Sequence, residues 1–343
     1  MDGLLLTSLF SFAGLGIAIW TCGALFYDVG RASFFGGALA LGWLAVTIGA
    51  ILFWQPLWKP FAALVVFFCC FLWWWLSQQP SNDRNWAPGF SQLPVVKLLG
   101  DTLTIENVRN TEYRTIEDCT VQYETRSYRL SKLQGIDALL LYWGSAWMSH
   151  PMFVFDFGSD GRFCISIEVR YRVGQRFSFF RSLYRQQELI YVVSDERDAI
   201  LRRTRCLKGH DLYLYHLDTD TLSLRSFFFE YVDSINALAE QPRWYHGLTT
   251  NCTTSIYAQG RGRMQWDWRM LFNGALDRLL YDRGFLDQEL PFETLKAQSW
   301  VNEIANRAPA EGFGDYIRRE LAGYRVSVNR DVERSAAFEG RAT

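Results

Sequence analysis

The sequence lacks a strong excess of either charge, since 35 basic and 36 acidic residues give the 343-residue chain a formal net charge of −1. It also lacks basic blocks, low-complexity tracts and internal repeats. A nearly neutral chain has no long-range field that would attract nucleic acid. We therefore expect no nucleic-acid partner.

Several motifs of well-known chemistry are absent too: GxGxxG, the phosphate-binding loop, HExxH and GxSxG. Their absence argues against nucleotide-binding, zinc-protease and serine-hydrolase functions. The seven cysteines show neither CxxC nor zinc-type spacing, so they predict neither a zinc site nor a disulfide scaffold. We expect no nucleotide, cofactor or metal ion. A disulfide among Cys119, Cys164 and Cys206 is left open.

Charge is scarce in the first 77 positions, where the charged residues are Asp2, Asp28, Arg31 and Lys59. Apolar runs fill this part of the chain at 4–27, 34–54 and 61–76. The first two exceed the roughly 20 residues that span a bilayer as a helix, and the third is near the lower limit. The third ends in three tryptophans, which are typical of a membrane interface. We predict three membrane helices, and not a cleaved signal peptide, because the first run is long and has no basic segment before it.

Beyond the membrane helices the chain has the composition of a soluble α+β domain. We divide it into membrane helices at 1–77, a polar linker at 78–94, an α+β domain at 95–260, a helical extension of that domain at 261–325 and a flexible tail at 326–343. Alternating patterns predict strands at 101–110, 152–158, 162–170, 188–194 and 211–217, the second and third forming a hairpin. A helix is predicted at 219–241 and another near Cys252. The charge-dense run 194–205 is interpreted as a salt-bridged turn, with recognition of an anionic head group as the alternative.

Cys252 is the first candidate for chemistry, in the stretch TTNCTTS at 249–255. Thr249, Thr250 or Asn251 can cap a helix, which would leave Cys252 in its first turn. There the helix dipole and unpaired N–H groups favour a thiolate and can hold an oxyanion. The alternative is a small buried hydrophobic residue at a helix start.

A thiol nucleophile needs a base, and the chain has four histidines. His150 precedes the first strand of the predicted hairpin, and His246 lies six residues before Cys252. His210 is in a polar turn and His216 ends a strand. A rigid strand end fixes an imidazole well, so we expect His150 to be the base and His246 the reserve. A structural role is the alternative for each.

Glu168 is the candidate for the group that orients the imidazole. Alternation along the strand puts Ser166 and Glu168 on one face, and the neighbouring strand begins just after His150. The alternative is a carboxylate that pairs with Arg170 or Arg172 on the surface.

The order of His150, Glu168 and the pair Asn251–Cys252 resembles the permuted papain-like proteins, in which the histidine precedes the cysteine. A closer resemblance is to the Lnb N-terminal periplasmic domain family, over about 95–325. It is carried by IENVRNTEYR at 105–114, IDALLLYWGS at 136–145, ISIEVR at 165–170, SLYRQQELIYVVSDERDAILRRT at 182–204 and LAEQPRWYHGLTTNCTTSI at 238–256. Two positions depart from the family: His246 stands where an asparagine is usual, and Pro151 where a small hydroxyl residue is expected.

This resemblance implies an antiparallel, permuted papain-like sheet packed on helices, with a helical C-terminal extension. It also implies a thiol acyltransferase in which Cys252 attacks the acyl ester of a lipoprotein or phospholipid, His150 accepts the proton and Glu168 holds the imidazole. The catalytic domain would lie in the periplasm of a multi-pass protein of the bacterial inner membrane. We predict supporting roles for Asn251, Thr253, His246 and Tyr245, and substrate contacts for Arg170, Trp143 and Tyr142.

Two other functions use the same residues differently. A cysteine peptidase or amidase of the cell envelope would need the same Cys, His and Glu but no apolar groove. A non-catalytic envelope protein would keep the cleft for binding and use the membrane helices only for placement.

Overall fold

The computed structural model describes residues 2–54, 56, 58–115, 118–144, 148–249, 267, 269 and 273–324. The chain divides into two compact units, which are described separately. The membrane unit comprises Met1–Asp83, Gln175–Glu188 and Arg243–Gly247, and the sheet unit comprises Arg84–Gly174, Leu189–Pro242 and Leu248–Thr343.

Three long apolar helices dominate the membrane unit: α1 Asp2–Ala24, α2 Phe34–Phe53 and α3 Trp58–Ser77. Each is long and apolar enough to cross a membrane, which confirms the predicted three helices. A π-helical turn, Leu25–Val29, follows α1, and the side chain of Ser33 caps α2 by accepting a hydrogen bond from the Gly36 backbone N. A Cβ atom on Gly36 would lie 2.7 Å from the Phe26 carbonyl oxygen, so the turn can close only because this residue is glycine.

The sheet unit is built on an eight-stranded sheet. Its strands, with a separate pair β3–β4, are β1 Val95–Leu99, β2 Thr102–Arg109, β3 Glu112–Tyr113, β4 Cys119–Thr120, β5 Tyr123–Arg129, β6 Gly135–Tyr142, β7 Ser149–Asp156, β8 Arg162–Arg170, β9 Glu188–Asp195 and β10 Asp211–His216. The order is β1-β2-β9-β8-β7-β6-β10, and β5 pairs with β2. The pairs β1–β2, β2–β5, β6–β7, β7–β8 and β6–β10 are antiparallel, whereas the contact of β2 with β9 is parallel, so the sheet is mixed.

The predicted hairpin is present as β7 and β8. Met152 pairs with Ser166 and Val154 with Cys164. The strands are joined by a short 3-10 turn, Gly158–Asp160, and the residue that follows it, Gly161, has a φ of 98°, a conformation that favours glycine. The predicted strands at 101–110, 188–194 and 211–217 are confirmed as β2, β9 and β10.

Helices cover both faces of the sheet. In the described part of the chain the other α-helices are α4 Phe179–Ser182, α5 Glu196–Thr204, α6 Thr221–Glu240, α7 Leu276–Asp282, α8 Phe292–Gln298, α9 Asn302–Arg307 and α10 Phe313–Glu320. Phe228 of α6 packs against Phe155 and Phe163 on one face. Helices α5, α9 and α10 pack on the other face around Met152 and Cys164. The predicted helix at 219–241 is α6, and the α+β class is confirmed.

The interpretation of 194–205 as a turn was wrong, because these residues are the end of β9 followed by α5. Asp195 caps the helix by accepting a hydrogen bond from the Arg197 backbone N. Glu196 and Asp198 at its positive end and Arg203 at its negative end complement the helix dipole. Although all three are charged, they are buried, because the helix packs on the sheet and their partners are buried with them.

Residues 276–320 contain four short helices, α7 to α10, within the predicted helical extension. Arg318 of α10 attaches this part to the sheet. Its guanidinium donates to Glu196 Oε1 at 2.6 Å through Nη2 and to Asp137 Oδ2 at 2.9 Å through Nε. Within the predicted linker, residues 88–90 form a short 3-10 turn, and Phe90 packs on Ile190 and Val192 of β9.

Candidate functional site

His150 lies near the start of β7, where Leu141 of β6 is its cross-strand partner. Alternation places its side chain on the same face as Met152, under α5. Its Nε2 atom lies 2.8 Å from the hydroxyl oxygen of Ser166 on β8. Only 17% of the side chain is exposed, so the ring is held by packing as well as by this hydrogen bond.

Ser166 connects His150 to Glu168. The hydroxyl of Ser166 donates to Glu168 Oε1 at 2.8 Å, whereas His150 Nε2 is 4.0 Å from the same carboxylate oxygen. The predicted approach of His150 and Glu168 is therefore present, with a serine hydroxyl between the two groups.

Two arginines of α5 hold the carboxylate. Arg203 Nη2 donates to Glu168 Oε1 at 2.6 Å, and Arg202 Nη1 donates to Glu168 Oε2 at 3.2 Å. Burial raises the pKa of Glu168, but Arg202 and Arg203 outweigh this effect and hold it well below its usual range. Glu168 is therefore an ionised, buried acceptor and not the surface carboxylate of the alternative interpretation.

An ionised Glu168 determines which imidazole nitrogen carries the proton. The Ser166 hydroxyl has one proton, which it donates to the carboxylate, so its oxygen accepts a hydrogen bond from His150 Nε2–H. The lone pair of neutral His150 is then on Nδ1. Within the described part of the chain, no hydrogen bond is made by Nδ1.

The imidazole is neutral at pH 7. Burial and, after it, the charge of Arg203 lower the pKa of His150 to about 4, although Glu168 opposes them. A neutral imidazole with an available Nδ1 is the form that a general base requires. The arrangement can therefore accept a proton from an acidic group on the Nδ1 side.

Arg170 lies on the same strand and face as Glu168, and it is buried. Its Nε and Nη2 atoms donate to the carbonyl oxygens of Phe90 and Ser91, both at 3.0 Å. Its guanidinium also lies 4.2 Å from the centre of the Trp86 ring. Arg170 thus fastens residues 86–91 to the strand end, and these contacts use most of its side chain.

The other predicted substrate contacts are dispersed. Tyr142 ends β6 and, by alternation from Leu141, points to the face opposite His150. The Lys296 ammonium lies 4.6 Å from the centre of the Tyr142 ring. Burial, and to a smaller extent the charge of Asp277, raise the pKa of the Tyr142 hydroxyl. Trp143 follows the strand and is partly buried against the core beneath α5.

The remaining histidines have separate environments. His216 Nδ1 is 2.8 Å from Asp137 Oδ1, an interaction far along the sheet that has a structural role. Tyr245 and His246 belong to the membrane unit, where the Tyr245 backbone N donates to Gln187 O at 2.8 Å. Burial lowers the pKa of His246 and of His210.

Asn251, Cys252 and Thr253 lie outside the described residues, as does the helix predicted near Cys252. All six described cysteines are free, so no disulfide joins Cys119, Cys164 and Cys206. Burial raises the pKa of Cys164, which makes that thiol unreactive.

Sequence reasoning missed the roles of Ser166, Arg202 and Arg203. Ser166 was available from alternation, since it lies between Cys164 and Glu168 on one strand face. The roles of the arginines were not predicted because 194–205 was interpreted as a turn, whereas Arg202 and Arg203 of α5 both reach Glu168.

The sequence model of the Lnb N-terminal periplasmic domain family matches residues 120–265. The match includes the strands that carry His150, Ser166 and Glu168, the helix that carries Arg203, and the position of Cys252. No curated protein and no solved structure matches the chain. The predicted resemblance is therefore confirmed: this is a membrane protein whose residues 120–265 match the Lnb N-terminal periplasmic domain family.

Proposed function

We propose that this protein is a membrane-anchored thiol acyltransferase of the bacterial inner membrane with its sheet unit in the periplasm. It would move an acyl chain from a lipoprotein diacylglyceryl group or a phospholipid, through a thioester on Cys252, to an amine. The observation that carries the proposal is the buried series His150, Ser166 and Glu168, which presents a neutral base with a fixed tautomer in an Lnb-type domain.

The first half-reaction breaks the ester bond. Cys252 Sγ attacks the acyl carbonyl while His150 Nδ1 takes the thiol proton. The tetrahedral intermediate collapses to a thioester, and the departing alcohol oxygen receives the same proton from His150. Glu168, acting through Ser166, stabilises the imidazolium between these two transfers.

The second half-reaction forms an amide. An amine attacks the thioester carbonyl and gives a proton to His150 Nδ1, which returns it to the departing Cys252 thiolate. Water in place of the amine would give a free fatty acid. Asn251 and Thr253 flank the thiol at the predicted helix start, where backbone N–H groups stabilise a thiolate and an oxyanion.

The chain connectivity supports a lipid substrate. Cys252 follows Gly247 by five residues, and Gly247 belongs to the membrane unit together with the three apolar helices. Acyl esters of lipids and lipoproteins lie at the bilayer surface, so membrane anchoring raises their effective concentration at the thiol.

The test is intact-protein mass spectrometry after brief mixing with a diacylated lipopeptide. We expect an added acyl mass on the wild type and on Cys206→Ala, a control that removes another free cysteine, but not on Cys252→Ala. The lipopeptide should appear in lyso and N-acylated forms. A folded protein with an alkylatable Cys252 but no adduct and no new lipopeptide would refute the lipoprotein reaction. Cleavage of a cell-wall peptide by the same protein would favour the peptidase.

A further inference from the structure

We define the juxtamembrane segment as Gln175–Glu188 of the membrane unit. It contains three exposed phenylalanines. Phe177, Phe179 and Phe180 expose 50%, 40% and 65% of their surface. The rings of Phe179 and Phe180 contact each other edge to face, with their centres 5.9 Å apart. Three neighbouring phenylalanines with this exposure need a covering partner in water.

The juxtamembrane segment is fastened to the end of α3. Arg185 Nη1 donates to the Leu76 carbonyl oxygen at 2.9 Å, and its guanidinium lies 4.3 Å from the centre of the Trp75 ring. It also donates to the Gln78 carbonyl oxygen. Since these carbonyl groups lie where α3 ends, the segment lies at the depth of the helix end.

The juxtamembrane segment also contacts the residues that follow α1, which places it at the same depth as its contacts with the end of α3 do. Gln186 Nε2 donates to Asp28 Oδ1 at 2.6 Å, and Trp75 Nε1 donates to Asp28 Oδ2 at 2.6 Å. The rings of Tyr184 and Tyr27 stack with their centres 5.2 Å apart. Asp28, tyrosines and tryptophan mark the interfacial zone of a bilayer, where one side of a residue is apolar and the other wet.

We propose that Phe177, Phe179 and Phe180 insert into the lipid head-group and acyl boundary as an interfacial anchor beside the membrane helices. The occupant of this surface is the bilayer, because the contacts to Leu76, Gln78 and Asp28 place the segment where a bilayer surrounding α1–α3 must end. The proposal does not depend on the thiol chemistry.

The local chemistry fits an interfacial anchor. Ser178 caps α4 by accepting a hydrogen bond from the Arg181 backbone N, so a polar backbone group is satisfied before it meets lipid. Arg176 and Arg181 flank the phenylalanines and can reach lipid phosphates while the rings lie deeper. An aromatic centre with basic flanks is the pattern that interfacial segments use.

The anchor also holds the chain that leads toward Cys252. The Gly247 backbone N donates to Ser182 O at 3.0 Å, and the Tyr245 backbone N donates to Gln187 O at 2.8 Å. Trp244 Nε1 donates to Gln78 O at 3.2 Å. Residues 243–247 thus share the depth of the juxtamembrane segment.

The test uses the full chain in phospholipid nanodiscs with an environment-sensitive fluorescent amino acid encoded at position 180. The matched control carries it at Leu222, an apolar residue of α6 that is 81% exposed. Lipids with a nitroxide on an upper acyl carbon should quench the label at position 180 several-fold more than the label at position 222.

Equal quenching at the two positions would overturn the proposal. A blue shift at position 180 that depends on protein concentration, without lipid quenching, would assign the surface to a second copy of the chain and would overturn it as well. A label at Phe177 repeats the measurement if the first variant misfolds.

Discussion

Ser166 links the candidate base, His150, to the carboxylate of Glu168 by hydrogen bonds. Its hydroxyl accepts from His150 and donates to Glu168, and it is 2% exposed, so water cannot easily replace it. His150 Nε2 and Glu168 Oε1 are 4.0 Å apart, too far for a direct hydrogen bond. We regard Ser166 as a positioning residue for the proposed reaction.

Replacing Ser166 by alanine should leave the Cys252 thiol present but make proton transfer from it to His150 less efficient. We expect the rate of acyl transfer to fall by about 10- to 100-fold, less than the roughly 10²- to 10⁴-fold that general-base catalysis contributes as a whole, because His150 is still present but Ser166 no longer stabilises its tautomer or its imidazolium form. The measurement is the rate of Cys252 alkylation and of acyl transfer against pH. A pH profile identical to that of the wild type would assign Ser166 a packing role only. Ser166→Thr, which keeps the hydroxyl, should restore part of the rate.

His150 should make stability depend on pH. Its pKa is about 4 in the folded protein and about 6.5 in an unfolded chain, so the unfolded state binds more protons between these values. Stability is therefore complete above pH 6.5 and falls as pH falls toward 4. Between pH 7 and pH 5 we expect a loss of about 1–2 kcal/mol in the free energy of unfolding.

Thermal unfolding in detergent at both pH values measures this loss. His150→Gln should show a smaller decrease, because glutamine does not titrate. An equal decrease in the two proteins would show that other groups cause it.

At the scale of elements, α5 carries charged side chains that attach it to strands β2 and β8 of the sheet. Besides Arg202 and Arg203, it contributes Asp198, which is fully buried. Asp198 accepts three hydrogen bonds from Arg109 of β2, the shortest at 2.7 Å, and one from the Thr111 backbone N. Because α5 carries both Asp198 and the two arginines that contact Glu168, movement of the helix would disturb the candidate site.

Asp198→Ala should destabilise the sheet unit by about 3–5 kcal/mol, because it leaves the charge of Arg109 buried without a partner. The double variant Arg109→Met/Asp198→Ala should recover much of the loss. Asp118→Ala is the control, since the Arg114–Asp118 pair is exposed and its loss should leave the free energy of unfolding nearly unchanged. Denaturant unfolding distinguishes the three variants, and equal effects of Asp198→Ala and Asp118→Ala would contradict this account.

At the scale of the molecule, we predict that the three apolar helices cross the membrane, which would put the residues before α1 and the sheet unit on opposite sides of it. The family match indicates a periplasmic domain, so the N-terminus should be cytoplasmic. The charges of the two connecting loops do not determine this orientation.

Fusions after Thr343 can test the topology in a Gram-negative host. Alkaline phosphatase should be active and green fluorescent protein dark when fused there, and the reverse should hold after Asp2. A fluorescent fusion at the C-terminus would place the sheet unit in the cytoplasm and contradict the assignment.

Part of the fold could be predicted from local patterns, whereas strands such as β1, β5 and β6 were not predicted. The apolar runs indicated α1, α2 and α3, and alternation indicated β2, β7, β8, β9 and β10. The prediction for α5 was wrong, because its dense mixture of charges was interpreted as an exposed turn. Charge alone does not reveal burial, because the partners that make burial possible, Arg109 and Arg318, are distant in sequence.

Local patterns in the sequence were sufficient to predict the three apolar helices, the hairpin, the family resemblance and the candidates His150 and Glu168. These follow from hydropathy, residue alternation and ordered motifs, which are local properties of the chain. Only the tertiary structure decided that Ser166 bridges the two, that Arg202 and Arg203 keep Glu168 ionised, and that residues 175–188 lie at the ends of the membrane helices. Those features depend on side chains brought together across strands and helices, and on burial, which local sequence does not encode.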